Sequence, residues 1–298
     1  MLSRKSSLDP VPRILKARLI MFKNVLLVEC RDIPGLVHAI TGVLFKHGMN
    51  ITMNQEFVDG GFGSFFMRTE FEGPKADGLI LGELSKILPK GSIVRLGEQK
   101  PKNIVLMASN EPHCLGDILI RHEFNQLQAR ILGVISNHNS LEKLVNRFDL
   151  PFHFVPHENM TREDHEGKIL ALLEAMKPDY IVLAKYMRVL TPAFVNRFSG
   201  RMINIHHSFL PAFIGAKPYQ QAFDRGVKII GATAHFVTEQ LDDGPIIVQQ
   251  VINVDHTQNA VDMAKSGKDV EQIVLSKALK LLCEDRIFLS GNRTIVFD

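Results

Sequence analysis

Apolar and polar positions divide the chain into two stretches with different rhythms. Phe22–Cys30 is an apolar run that reads as a strand, and Gly35–His47 carries Leu36, Ile40, Val43 and Leu44 at helical spacing. Ile51–Val58 and Ser64–Phe71 read as strands joined by Asp59-Gly60-Gly61, a hairpin signal. Leu79–Leu88 is helical and Ile93–Leu96 is a last short strand. The order βαββαβ predicts a ferredoxin-like unit over 21–98. Met53, Phe57, Phe65 and Phe66 are expected in its core.

Gly97–Lys102, with Lys100, Pro101 and Lys102, reads as a linker. Beyond it the pattern changes. Ile104–Ala108, Ile131–Ser136 and Tyr180–Ala184 are short apolar runs without alternation, as expected for strands covered on both faces. Helical stretches lie between them, among them Glu163–Met176 with Ile169, Leu172, Leu173 and Met176 on one face. This alternation predicts a second α/β unit over 103–298 with a parallel, Rossmann-like sheet. Ile203–His206 would add a strand, Ile229–Val237 and Ile246–Val254 a β pair, and Val261–Leu289 a closing helix.

Bulk properties narrow the class. With 298 residues, 45% of them hydrophobic, the chain has enough material for two packed domains. A net charge of +3 is too small to imply nucleic-acid or membrane partners. No apolar run approaches the ~20 residues of a membrane span. Cys30, Cys114 and Cys283 are far apart and form no C-x-x-C pair, so a reducing, cytoplasmic setting is expected. Residues 1–20 hold Arg4, Lys5, Arg13, Lys16 and Arg18, but Asp9, Pro10 and Pro12 interrupt any amphipathic helix. They read as a flexible arm.

The chemistry concentrates in Asn204-Ile205-His206-His207-Ser208-Phe209-Leu210-Pro211 and in Gln240-Leu241-Asp242-Asp243-Gly244-Pro245. Asn204 and His206 are two apart, so on a strand their side chains share a face. An amide donor beside an imidazole can hold a developing oxyanion, and a carboxylate can orient the imidazole and take a proton from a nucleophile. That equipment suits acyl transfer without a covalent enzyme intermediate. A metal cluster of His206, His207, His235 and Asp242 is the competing reading. It is disfavoured because adjacent histidines on a strand point to opposite faces.

The motifs Asn204-x-His206-x-Ser208-x-Leu210-Pro211, Gly215-Ala216-Lys217-Pro218, His235-Phe236-Val237 and Leu241-Asp242-x-Gly244-Pro245 carry a likeness. Residues 104–298 resemble the folate-dependent formyltransferase fold. The resemblance implies that Asn204, His206 and Asp242 are the catalytic trio and that Asp243 is a solvated loop charge. It implies that Met187, Arg188, Val189 and Leu190, with Val237 and Leu241, wall a pterin pocket. His235 would line the site near the formyl group, and Gly215 and Lys217 would also touch substrate. Residues 22–97 resemble an ACT domain, with Asp32, Gly35 and Asn50 as its expected ligand contacts. Together the two domains resemble the layout of the formyltetrahydrofolate deformylases. That layout implies hydrolysis of 10-formyltetrahydrofolate in one-carbon and purine metabolism, no permanently bound cofactor, glycine or methionine as effector, and a homo-oligomer.

One departure from the transferase branch separates the acceptors. The turn that cradles the acceptor's phosphate in glycinamide ribonucleotide formyltransferase reads here Ala108-Ser109-Asn110-Glu111-Pro112-His113-Cys114. It lacks glycine, Pro112 lacks an N–H donor, and Glu111 would repel a phosphate. Water is therefore the expected nucleophile; the alternatives are folate-dependent formyl transfer to a small amine, or a catalytically slow sensor of folate and amino acids.

Overall fold

The computed structural model describes residues 21–76, 78–212 and 217–298. The chain separates into two units, one ending at Glu98 and the other spanning Gln99–Asp298.

The first unit contains β1 (Phe22–Arg31), α1 (Leu36–Lys46), β2 (Asn50–Asp59), β3 (Ser64–Gly73), α2 (Gly78–Ile87) and β4 (Ile93–Glu98). Its antiparallel sheet runs β2-β3-β1-β4, the ferredoxin-like order. The helical stripe Leu36, Ile40, Val43 and Leu44 packs with Ile80 and Leu84 onto Leu26, Val28, Met67 and Phe71. Gly35 sits just before α1 at φ 88, a conformation that a side chain would strain. Phe65 and Phe66 are buried, but Met53 is 40% and Phe57 43% exposed, so two of the four expected core residues are not core. They lie on β2, an edge strand with no neighbour on its outer side among the described residues.

The second unit opens with β5 (Lys102–Ala108), α3 (His113–Glu123), β6 (Ala129–Ser136), α4 (Glu142–Asn146), β7 (Phe152–Phe154), α5 (Arg162–Met176) and β8 (Tyr180–Leu183). It continues with α6 (Pro192–Arg197), β9 (Met202–His206), α7 (Pro218–Arg225), β10 (Ile229–Phe236), β11 (Ile246–Asn253), α8 (Ala260–Cys283), β12 (Ile287–Ser290) and β13 (Arg293–Val296). The strands run β11-β10-β9-β8-β5-β6-β7. The sheet is mixed rather than wholly parallel: β5 to β9 are parallel, and β10 runs antiparallel to β9 and β11. The link between β4 and β5 is only Gln99–Pro101, shorter than expected, because both strands extend into it. The closing helix stops at Cys283, and the chain then turns into the β12–β13 hairpin.

The unbroken apolar run of β5 has a direct cause. Ile104, Leu106 and Ala108 face the layer built on α3 and α8, while Val105 and Met107 face the layer holding α5 and α6. Helices α5 and α8 start on sequence signals. The Thr161 hydroxyl accepts from Asp164 N at 3.1 Å to cap α5, and Asn259 with Asp262 forms a capping box on α8. Each such cap contributes about 1 kcal/mol. The chain leaves β5 toward β6 and β7, then returns to β8 on the other side of β5. That reversal opens a crevice beyond the carboxyl ends of β5 and β8, the usual ligand position in such sheets.

Candidate active site

A cavity of about 270 Å³ lies beside this crevice, beyond the carboxyl ends of β8 and β9. It is lined by Lys185–Leu190 after β8, by Asn204–His207 at the end of β9, by His235 of β10, and by Val237–Asp242. Met187, Arg188, Val189, Leu190, His235, Val237 and Leu241, all expected from sequence, are on this wall with Asn204, His206 and Asp242. Lys217 is not: it is exposed, and it precedes α7 at φ 55. Gly215 lies outside the described residues.

Strand pairing builds the polar floor. Asn204 and His235 are direct partners across β9 and β10. Asn204 Nδ2 donates to His235 Nε2 at 3.3 Å, while His235 Nδ1 donates to the Phe236 carbonyl at 2.8 Å. Burial holds the His235 pKa below its ordinary value, so the ring is neutral and Nε2 is free to accept. This leaves the second Nδ2 hydrogen of Asn204 for a ligand.

Asp242 enters from the loop between β10 and β11, in the left-handed region at φ 55. Its Oδ1 lies 3.2 Å from His206 Nδ1 and 3.7 Å from His235 Nε2, the second too long for a hydrogen bond. Burial pushes the Asp242 pKa up, but the His206 hydrogen bond and the nearby imidazoles outweigh it, leaving the pKa low and the group a carboxylate. Asp243, its neighbour, is exposed. On the other side of the His206 ring, Nε2 is buried and has no protein partner among the described residues. Gly244 gives this loop its path: a Cβ there would lie 1.8 Å from the Phe236 carbonyl oxygen.

Hydrogen bonds outside the floor hold the walls. Met187 N donates to Ser109 Oγ at 3.0 Å, and Ser109 Oγ donates to Asn137 Oδ1 at 2.7 Å. Further along, buried Glu166 accepts from Thr191 N at 2.8 Å and from its hydroxyl. The turn after His206 is pinned by Thr233, whose hydroxyl donates to the Ser208 carbonyl at 2.8 Å and accepts from Leu210 N at 3.1 Å.

Sequence reasoning missed a second polar cluster behind this wall. Glu271 Oε2 lies 3.1 Å from Lys185 Nζ and 2.8 Å from His113 Nε2, and Oε1 accepts from Tyr219 Oη at 2.7 Å. Burial raises the Glu271 pKa, but the His113 hydrogen bond and the Lys185 charge pull it down to about 2. One signal was present: Glu271 is an acid on the apolar stripe that includes Val270, Val274 and Leu275. Cys114 completes a grouping of metal-ligand type with His113 and Glu271. Burial pushes the Cys114 thiol well above its ordinary pKa, and Glu271 already has three partners, so the group reads as a hydrogen-bonded network. Glu111 is 2.7 Å from Lys268 Nζ, so its charge is largely compensated and repels an anion less than its sequence position suggested.

In the first unit the three expected ligand contacts do not converge. Asp32 and Gly35 follow the Arg31 end of β1, while Asn50 pairs with Glu72 and so lies level with Lys23. At about 3.3 Å per residue, Asn50 is roughly 25–30 Å from Asp32.

Comparison with known proteins agrees with this architecture. The formyl transferase family profile matches residues 102–279, and the ACT domain profile matches 24–89. The formyltetrahydrofolate deformylase of Escherichia coli (strain K12) is 53% identical over 274 residues, 92% of this chain and 98% of that protein. The chain belongs to the formyltetrahydrofolate deformylase family. The deformylase of Haemophilus influenzae is 54% identical, over 92% of this chain and 99% of that protein. The crystal structure of a formyltetrahydrofolate deformylase from Pseudomonas syringae pv. tomato superposes with a TM-score of 0.90 at 38% identity, covering 95% of this chain and 97% of that one. Membership of this deformylase family makes the protein an enzyme. No helix among the described residues is long and apolar enough to cross a membrane.

Proposed function

We propose that this protein hydrolyses 10-formyltetrahydrofolate to tetrahydrofolate and formate, without a metal, in cytoplasmic one-carbon and purine metabolism. The observation that carries the reading is the unpartnered, buried His206 Nε2 in the same pocket as the Asn204 amide and the Asp242 carboxylate.

In this reading the pterin lies against Met187–Leu190 and Val237–Leu241, and the formyl group reaches the floor. Asp242 holds the attacking water and takes its proton. Attack moves charge onto the formyl oxygen, where the second Asn204 Nδ2 hydrogen meets it. His206 Nδ1 points at Asp242, so Nε2 donates to that oxygen when the ring is an imidazolium. Donors aimed at the developing charge lower the barrier by about 3–4 kcal/mol each. A proton then passes to the formyl-bearing nitrogen, and the carbon–nitrogen bond breaks to release formate. Incubation with 10-formyltetrahydrofolate alone tests this. Formate and tetrahydrofolate should appear in equal amounts with no amine present, and at the same rate in EDTA. A required amine, or an EDTA loss reversed by zinc, would overturn it.

The ACT unit is proposed to bind an amino acid, glycine or methionine, at a site shared by two chains. Antiparallel pairing of two β2 edges would bring Asn50 of one chain to the end of the sheet where Asp32 and Gly35 of the other lie. The exposed Met53, Phe57 and Val58 of that edge favour a homo-oligomer.

A further inference from the structure

The cluster around Glu271 takes no part in the steps above, yet it reaches the cavity. Lys185 follows β8 at φ 64, a strained conformation for a residue with a side chain. It is 8% exposed and lines the cavity, with its ammonium 3.1 Å from Glu271 Oε2. Glu271 is 1% exposed. His113 and Tyr219 fill the rest of its hydrogen-bonding capacity, at 2.8 and 2.7 Å. Tyr219 is held in place by the absence of a side chain at Gly267, where a Cβ would lie 2.0 Å from its hydroxyl. The Tyr219 ring centre is 6.2 Å from that of His207, which is 4.9 Å from that of His206. The carboxylate thus lies behind the wall and reaches the cavity through Lys185.

A primary amine attacking a formyl carbon in this pocket would need room beside the trio and an acceptor to hold its N–H groups. Glu271 is such an acceptor, and a lysine already occupies it. We propose that Lys185 is a built-in occupant of an acceptor-amine site, and that its ammonium, held by Glu271, excludes small amines and leaves water as the nucleophile. The proposal rests on the deformylation reading and adds to it the residue that decides the acceptor. Lys185 does not itself take the formyl group, because an ammonium has no lone pair. Shortening Lys185 leaves a buried carboxylate without its cation, a strongly unfavourable state that an external ammonium would relieve. A small amine entering the space that Lys185 vacates, which opens on the cavity, first gives its ammonium proton to solvent; its nitrogen then bonds to the formyl carbon while the bond to the folate nitrogen breaks. The proton lost by the amine passes through Asp242 to the folate nitrogen, and the products are a formamide and tetrahydrofolate.

The test uses the full chain, wild type and Lys185→Gly, with 10-formyltetrahydrofolate and glycinamide. Lys185→Gly suits the positive φ. Released formate, tetrahydrofolate and N-formylglycinamide are measured together. Wild type should yield formate alone, and Lys185→Gly should divert at least about tenfold more of its turnovers to N-formylglycinamide. An unchanged partition in an active Lys185→Gly overturns the proposal. Where the variant is too unstable or too inactive to assay, its melting temperature decides. Methylammonium chloride should raise it above the value in sodium chloride at equal ionic strength, with no such difference in wild type. Equal values in the two salts overturn the proposal. Wild type that releases no tetrahydrofolate refutes the deformylation reading instead, and the salt comparison still judges the amine site.

Discussion

At the residue scale, Asn204, His206 and Asp242 line one pocket, and the function proposed above makes them one catalytic unit. Asn204→Ala, His206→Ala and Asp242→Ala should each lower kcat by about 100-fold or more, and the triple variant should be little worse than the worst single one. Near-normal turnover in Asp242→Ala would remove it as the base. His207 supplies a pH dependence of stability. Burial first, then the Lys185 charge, lowers its pKa from 6.5 to about 4. Between these values the unfolded chain binds the proton and the folded one does not. This contribution is therefore complete above pH 6.5 and is lost as pH falls toward 4, by up to about 3 kcal/mol. Chemical denaturation across that range should show a shallower decline in His207→Gln than in wild type; equal slopes would assign the effect elsewhere. That Asn204, His206, His235 and Asp242 meet in one pocket was legible in the sequence, because an amide, an imidazole and a carboxylate stand out within apolar runs. Lys217 was misplaced because a lysine beside a turn carries no sign of which way it points.

At the element scale, the loop between β10 and β11 carries Asp242, the proposed base, and a single glycine sets its course. Gly244→Ala would force a methyl group against the Phe236 carbonyl, which also receives the His235 hydrogen bond. The loop must move, and a shift of about 1 Å at a reacting group can cost about 100-fold in rate. Gly244→Ala should therefore lose at least about tenfold in kcat, whereas Asp243→Ala, at an exposed position, should stay within about 0.5 kcal/mol of wild-type stability. Comparable kcat for Gly244→Ala and wild type would show that the loop path does not position Asp242. The element types themselves were readable, because apolar spacing reports which face is covered. The overlong closing helix had a local cause too. Ile287, Phe288 and Leu289 continue the apolar pattern of α8, and periodicity alone does not mark the turn after Cys283.

At the scale of the whole molecule, the first unit presents a ten-residue edge at β2 that is unpaired among the described residues. Such an edge favours pairing with a second copy. Light scattering should find a homo-oligomer, and calorimetry should detect glycine or methionine in wild type, with weaker binding in Asn50→Ala. A monomer in solution would refute the shared site. An oligomer that binds neither amino acid would leave the unit an assembly domain only. For binding to alter the rate, the ligand must favour one state of the enzyme over another.

The sequence by itself determined the two units, the kinds of element in each and the chemical types gathered in the pocket. These follow from local spacing, which records how each segment meets water. Tertiary structure decided what no local pattern records. The antiparallel register of β9 and β10 sets Asn204 opposite His235 and thereby orients the amide. The direction of β10 left no trace in its apolar run, since a strand covered on both faces looks the same either way round. Chain reversal at β5 and β8 brought Lys185 to Glu271 across a large sequence separation. A buried charge takes its meaning from the partner that desolvation demands, and only the folded chain supplies that partner.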